Sequence, residues 1–261
     1  MVPVAAALTD LPAAMLTVAG GPGALAALAV TLALAGLVRG FTGFGTALVF
    51  MPVAAALIPA ELAILILVTT GMAVWPVLVP GAWHAAAKRE VAWMGAAALL
   101  FTPLGVALLA SLPEAALRWA VAGAAAATLA ALVSGWRHAR PVGPAGLLGV
   151  GAASGLLGGA TGLGGPPAIL FYLAGPSGAA RVRANTILFL CVLDVAIVTS
   201  LLARFDVTAA HAALCGLLAI PSLLATRAGQ RLFHPARERL YRRGAYALIA
   251  ASILAGLPLW R

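Results

Sequence analysis

The sequence predicts an all-α polytopic membrane protein, built as two inverted repeats. Each repeat is a Gly-motif helical hairpin followed by three transmembrane helices. Three observations carry this reading. The chain has 261 residues, of which 63% are hydrophobic and only 9% charged, with a mean hydropathy of +1.08. A soluble domain carries about 25% charged residues, and no soluble fold of this size has interior enough for so much apolar surface. The apolar runs are long, Ala/Leu-rich and not alternating, which argues for helices over barrel strands. Finally, a glycine-rich motif recurs 119 residues after its first occurrence.

The elements follow in order. Apolar segments are expected at 24–38, 44–58, 62–80, 91–110, 115–134, 145–158, 164–175, 184–203, 208–227 and 244–258, with Pro, Gly or charge at the breaks. The first 20 residues lack a basic leader and do not resemble a cleaved signal peptide; a short interfacial stretch is expected there. The motif Gly36-Leu37-Val38-Arg39-Gly40-Phe41-Thr42-Gly43-Phe44-Gly45 separates the first two segments. It aligns with Gly155-Leu156-Leu157-Gly158-Gly159-Ala160-Thr161-Gly162-Leu163-Gly164, and six of the ten positions are identical. Pro103 and Pro221 recur near the same point of the third long span. The chain thus divides into an N-terminal segment 1–21, a first repeat 22–136, a basic linker 137–142 and a second repeat 143–261.

Charge sets the expected orientation. The net charge is +9, which in a soluble chain would suggest nucleic acid. Here the basic residues fall in short gaps between spans, where the positive-inside rule accounts for them. With the Lys88/Arg89 loop cytoplasmic, Arg137, Arg140, Arg181, Arg183, Arg227, Arg231, Arg237, Arg239, Arg242 and Arg243 also fall inside, twelve of the sixteen basic residues. Arg118, Arg204 and Arg261 fall outside, and Arg39 lies within the motif. An odd number of crossings per repeat makes the two repeats antiparallel, as in many secondary transporters.

The second arms of the hairpins are short. Residues 44–58 would span about 22 Å and 164–175 about 18 Å, against roughly 30 Å of hydrocarbon. Short Gly-interrupted segments at matching places point to a binding site near the midplane, with the two hairpins dipping in from opposite faces.

At these motifs the chain resembles the sulfite exporter TauE/SafE family. The resemblance rests on Gly40-Phe41-Thr42-Gly43-Phe44-Gly45 followed by Pro52, and on Gly155 to Gly159 with Thr161-Gly162-Leu163-Gly164-Gly165-Pro166-Pro167. The tandem repeat and the length agree with it. It implies an inner-membrane permease for a sulfur-containing anion such as sulfite, sulfoacetate or thiosulfate, with export a frequent direction. Phe41, Phe44 and Thr46 stand where the family often has small residues.

The residues themselves suit an anion. The helices at 44–58 and 164–175 each start after a Thr-Gly-x-Gly turn, and the first N–H groups of a helix lack internal acceptors and carry partial positive charge. Glycine lets an oxyanion approach such a turn closely. The candidate substrate site is therefore Arg39, Thr42, Gly43, Phe44, Gly45 and Thr46 with Thr161, Gly162, Leu163, Gly164 and Gly165, joined by Asn185. Pro166 and Pro167 fit a helix start. The competing reading of Gly36/Gly40 and Gly151/Gly155 is helix packing at GxxxG spacing, which is favoured for those four.

Three further residues carry alternatives. Arg39 either binds the anion with its planar donor fork, serves as a positive-inside charge, or pairs with a carboxylate. Asp194 lies about 15 Å along its span, near the midplane. It either carries a proton coupled to the anion, bridges to Arg39, or is a protonated core residue. Asn185 either lines the path or bonds locally. Thr69 and Thr70 are expected to bond back to the preceding turn. Trp75 and Trp93 are read as interface anchors, and Cys191 and Cys215 as structural.

Enzyme chemistry finds no support. His84, His138, His211 and His234 make no metal-ligand pair at i, i+4, and neither a Gly-x-Ser-x-Gly elbow nor a P-loop is present. The expectation is a non-enzymatic carrier without cofactor or metal, its partners a small anion and membrane lipid but not nucleic acid, with a homodimer permitted by the GxxxG segments. A passive anion channel of the same fold and a non-transporting membrane assembly factor are the alternatives.

Overall fold

The computed structural model of the protein describes residues 11–135, 143–175, 177–232 and 238–259. The linker at 137–142 lies outside the described residues, as do residues 1–10 of segment 1–21, the charges Arg137, Arg140, Arg237 and Arg261, and His138 and His234.

Every regular element among the described residues is a helix. They are α1 (Leu11–Val18), α2 (Pro22–Thr42), α3 (Thr46–Leu57), α4 (Ala60–Ala73), α5 (Trp75–Ala85), α6 (Lys88–Ser111), α7 (Glu114–Ser134), α8 (Pro144–Thr161), α9 (Gly165–Ala174), α10 (Ala179–Leu202), α11 (Ala209–Leu232) and α12 (Glu238–Gly256). Five are long and apolar enough to cross a membrane: α2, α6, α7, α10 and α11. They leave Leu99, Leu100 and Leu104 of α6 and Ile220 and Leu224 of α11 exposed, the mark of a lipid-facing surface. This is a multi-pass membrane protein.

The expected single span at 62–80 is instead two helices. α4 and α5 meet at Val74 with a bend of 66°. Pro76 sits in the first turn of α5, where it cannot continue the hydrogen-bond ladder of α4. Apolar character runs through the break, so hydropathy alone joins what the backbone divides.

The hairpins are built alike at their first turn. α2 ends at Gly43, whose φ of 83° is left-handed, with its N–H on the Arg39 carbonyl at 2.7 Å. α8 ends at Gly162, with φ 74° and its N–H on the Gly158 carbonyl at 2.9 Å. A side chain other than hydrogen is strained in that region, which explains the glycine at both places. The turns then diverge: Gly45 has φ 95°, whereas Gly164 has φ −77°.

The two halves clasp each other reciprocally. α2 lies on α11, and α8 lies on α6. Glycines make both seams. A Cβ on Gly36 would stand 2.8 Å from the Ser222 carbonyl oxygen, and one on Gly40 would stand 2.5 Å from that of Thr226. On the other seam, a Cβ on Gly155 would stand 2.6 Å from the Ala98 carbonyl oxygen, and Gly151 meets Met94 more closely still. Backbone approaches backbone, as small residues permit between membrane helices. The packing reading of these four glycines is the one the structure adopts.

One end of the bundle collects positive charge. The last turns of α11 meet the end of α2 through Gly229 and Gly40. The first turns of α10 meet the tip beyond α2, where the stem of Arg183 crosses Gly43. Asn185 of α10 accepts a hydrogen bond from the Ala87 N–H at 2.7 Å, just ahead of α6. Lys88, Arg89, Arg181, Arg183, Arg227 and Arg231 therefore share one end of the molecule.

Candidate functional site

The tips of both hairpins open on one cavity of about 50 Å3. On this measure one water needs roughly 10–15 Å3, so the space suits a few waters or one small oxyanion. The first hairpin supplies Arg39 and the run Phe44 to Leu48. The second supplies Gly162, Gly165, Pro166 and Ile169. α4 closes one side with Leu67 and Val68, and α10 another with Leu190, Leu193, Asp194 and Ile197.

The polar groups of this cavity lack partners. Arg39 is 6% exposed, and its Nε donates to nothing. The hydroxyl of Thr46 and the Oδ2 of Asp194 are likewise buried without a partner inside hydrogen-bond distance, and the Trp75 indole is turned toward the Asp194 carboxylate from outside the cavity lining. A buried polar group left unsatisfied costs about 1–3 kcal/mol, and native interiors leave few. Three at one cavity mark a site shaped for a polar occupant.

Arg39 and Asp194 attract each other electrostatically without closing an ion pair. Both reach the bare face of Gly71, where a Cβ would stand 3.0 Å from Asp194 Oδ2 and 3.4 Å from Arg39 Nη1. Asp194 is half-buried and lines the cavity.

The start of α3 adds donors. No side chain caps it, and its first ladder bond runs from the Val49 N–H to the Gly45 carbonyl. The N–H groups of Thr46, Ala47 and Leu48 thus have no helical acceptor, and all three residues line the cavity. α9 is also uncapped, but Pro166 and Pro167 carry no N–H. The donor array is lopsided toward the first hairpin, the one that also holds the arginine.

Of the sequence-expected residues, the cavity gathers Arg39, Phe44, Gly45, Thr46, Gly162, Gly165 and Asp194. It does not gather Thr42, Gly43, Thr161, Leu163, Gly164 or Asn185. The Thr42 hydroxyl donates to the Val38 carbonyl at 2.9 Å and accepts the Phe44 N–H at 3.2 Å. Thr161 repeats the pattern with the Leu157 carbonyl at 2.7 Å and the Leu163 N–H at 3.2 Å. Both threonines fasten the turns and leave Thr46 as the free hydroxyl. Asn185 is fully buried and donates from Nδ2 to Glu90 at 3.2 Å while accepting from Ala87. It ties α10 to the start of α6.

Trp75, expected at the membrane interface, is instead turned inward beside Asp194 by the bend at Val74. Gly71, on whose bare face Arg39 and Asp194 converge, belongs to the site without lying in either motif. The available signal was the pairing of Gly71 with Pro76 around an aromatic residue, in a span lying between the two motif-bearing segments. Thr69 and Thr70 bond back to Leu65 and Ile66, each at 2.7 Å, as expected. Cys191 and Cys215 are free thiols.

The family described as sulfite exporter TauE/SafE matches residues 27–256, nearly the whole chain. No curated protein and no solved structure matches it.

Proposed function

This chain belongs to the sulfite exporter TauE/SafE family, and from that premise we propose that it is a secondary transporter, an exporter, of a small sulfur-containing oxyanion such as sulfite, sulfoacetate or thiosulfate, coupled to the proton gradient. The observation that carries the proposal is the set of unpaired polar groups around one cavity, at the uncapped start of α3. An oxyanion presents acceptors only. Arg39, the Thr46 hydroxyl and the N–H groups of α3 are all donors, so they match it.

Asp194 supplies the coupling. In its charged form it opposes the anion and offsets Arg39; protonated, it leaves the arginine to the cargo. Proton occupancy of Asp194 thereby sets how strongly the cavity holds the anion. The net charge of the site stays small in either state, which favours release.

The two halves are read as inverted repeats that rock around this cavity. The recurring motif and the reciprocal seams of α2 on α11 and α8 on α6 support that reading. The end bearing Lys88, Arg89, Arg227 and Arg231 is taken as cytoplasmic, in the plasma or inner membrane.

The test is flux in proteoliposomes of the purified protein, with sulfite, thiosulfate, sulfoacetate, sulfate and chloride offered with and without a pH gradient. Saturable flux of a sulfur oxyanion that responds to the gradient is expected. Flux proportional to concentration would identify a channel instead. No flux of any anion from folded protein would sink the transport reading.

A further inference from the structure

We propose that Arg183 is a second anion-binding residue, holding the same oxyanion at the outer side of the first hairpin before it passes to the cavity. The inference rests on the transport reading given above. The structure supports it in three ways.

Arg183 is half-buried, and its guanidinium makes neither a hydrogen bond nor an ion pair with the described residues. Surface arginines commonly wave in water, but this one is pinned. Its stem lies on Gly43 so closely that a Cβ there would stand 2.9 Å from Cγ and 3.3 Å from Nε. The bare glycine is the bed on which the side chain rests.

Its direction along α10 is the second support. Residues 183, 187, 190, 194 and 197 follow helical spacing along one face. Leu190, Asp194 and Ile197 of that stripe line the cavity. Arg183 stands about 10 Å from Leu190 and about 16 Å from Asp194 along the helix axis. Ile187 lies between the outer arginine and the cavity-lining Leu190.

The third support is the turn itself. Gly43 adjoins Phe44 and Gly45, both of which line the cavity. Arg183 therefore sits over the tip whose other side is the site. Phe44, which follows Gly43 directly, already lines the cavity. Electrostatic attraction at such a mouth raises local anion concentration and weakens with salt.

The experiment compares Arg183→Gln and Arg183→Lys with the wild type in proteoliposomes, using labelled sulfite and thiosulfate at several ionic strengths. Arg183→Gln is expected to lower Vmax/KM about tenfold, the scale of one charge-assisted hydrogen bond. Arg183→Lys should keep most of it, and the salt dependence of Vmax/KM should flatten only in the glutamine variant. Thermal unfolding of each variant serves as the folding control. A lysine variant as poor as the glutamine one, or an unchanged Vmax/KM in well-folded Arg183→Gln, overturns the role of Arg183 and leaves the inner site standing. Absence of saturable flux in the wild type overturns both.

Discussion

Arg39 and Asp194 face one cavity from two different helices and both reach Gly71, yet they form no ion pair. A closed pair would neutralise the site and remove its reason to bind an anion. Held apart, the two charges leave room for cargo between the arginine and the uncapped end of α3, while the acid stays near enough to modulate it.

Asp194→Asn should abolish the response of transport to a pH gradient while retaining anion exchange. The amide cannot carry the proton, and Arg39 then lacks its opposing charge. Anion affinity should rise about 3- to 10-fold, from coulombic attraction that Asp194 no longer offsets. Exchange and gradient-driven flux measured side by side decide this; gradient-driven transport at the wild-type level in the variant excludes Asp194 from coupling.

Arg39→Gln should weaken anion binding by about 10- to 100-fold, the cost of losing charge-assisted hydrogen bonds. Arg39→Lys keeps the charge but not the planar fork, and should fall between the two. KM values from initial rates, with protein quantity fixed by a fluorescent tag, give the comparison. Equal KM in all three proteins would place the anion elsewhere.

Thr46→Val and Thr42→Val should separate cargo from scaffold. Thr46 carries a buried hydroxyl without a partner, so its removal should raise thermal stability while lowering affinity several-fold. Thr42 fastens its turn at both ends, so its removal should lower stability by about 1 kcal/mol. Melting curves and KM values on the same preparations check the pair. The same sign of stability change in both variants would contradict the assignment.

Gly155→Ala should destabilise the protein by about 1–3 kcal/mol, because the new Cβ meets the Ala98 carbonyl at 2.6 Å and neither backbone can yield. Gly149→Ala, on the same helix with nothing within 4 Å, should stay within about 0.5 kcal/mol of wild type. Thermal unfolding in detergent measures both.

Much of this arrangement is legible in the chain. Six shared positions identify two equivalent turns, and the helices after them begin at Thr46 and Gly165 as the spacing of Thr-Gly-x-Gly requires. Arg39 and Asp194 stand out because ionisable residues are rare in apolar segments. The seams are half legible: GxxxG spacing announces a close partner but does not name it. Three features stay hidden. The bend at Val74 lies within unbroken hydropathy. The inward turn of Trp75 follows from that bend and from nothing local. Asn185 is committed to Ala87 and Glu90 across a distance in sequence that no motif records. Each is a tertiary choice among locally equivalent alternatives.

The reciprocal seams also govern the order in which the protein can be made. α2 is among the first segments to leave the ribosome, but Thr226 and Gly229, on which it closes, are among the last. α8 finds α6 already in place, whereas α2 must wait in the bilayer with its glycine face uncovered. The seam between α8 and α6 is therefore available before the seam between α2 and α11, and a nascent chain halted ahead of Ala209 holds one without the other. Such late long-range closure is where multi-span chains are most exposed to misassembly and to quality control.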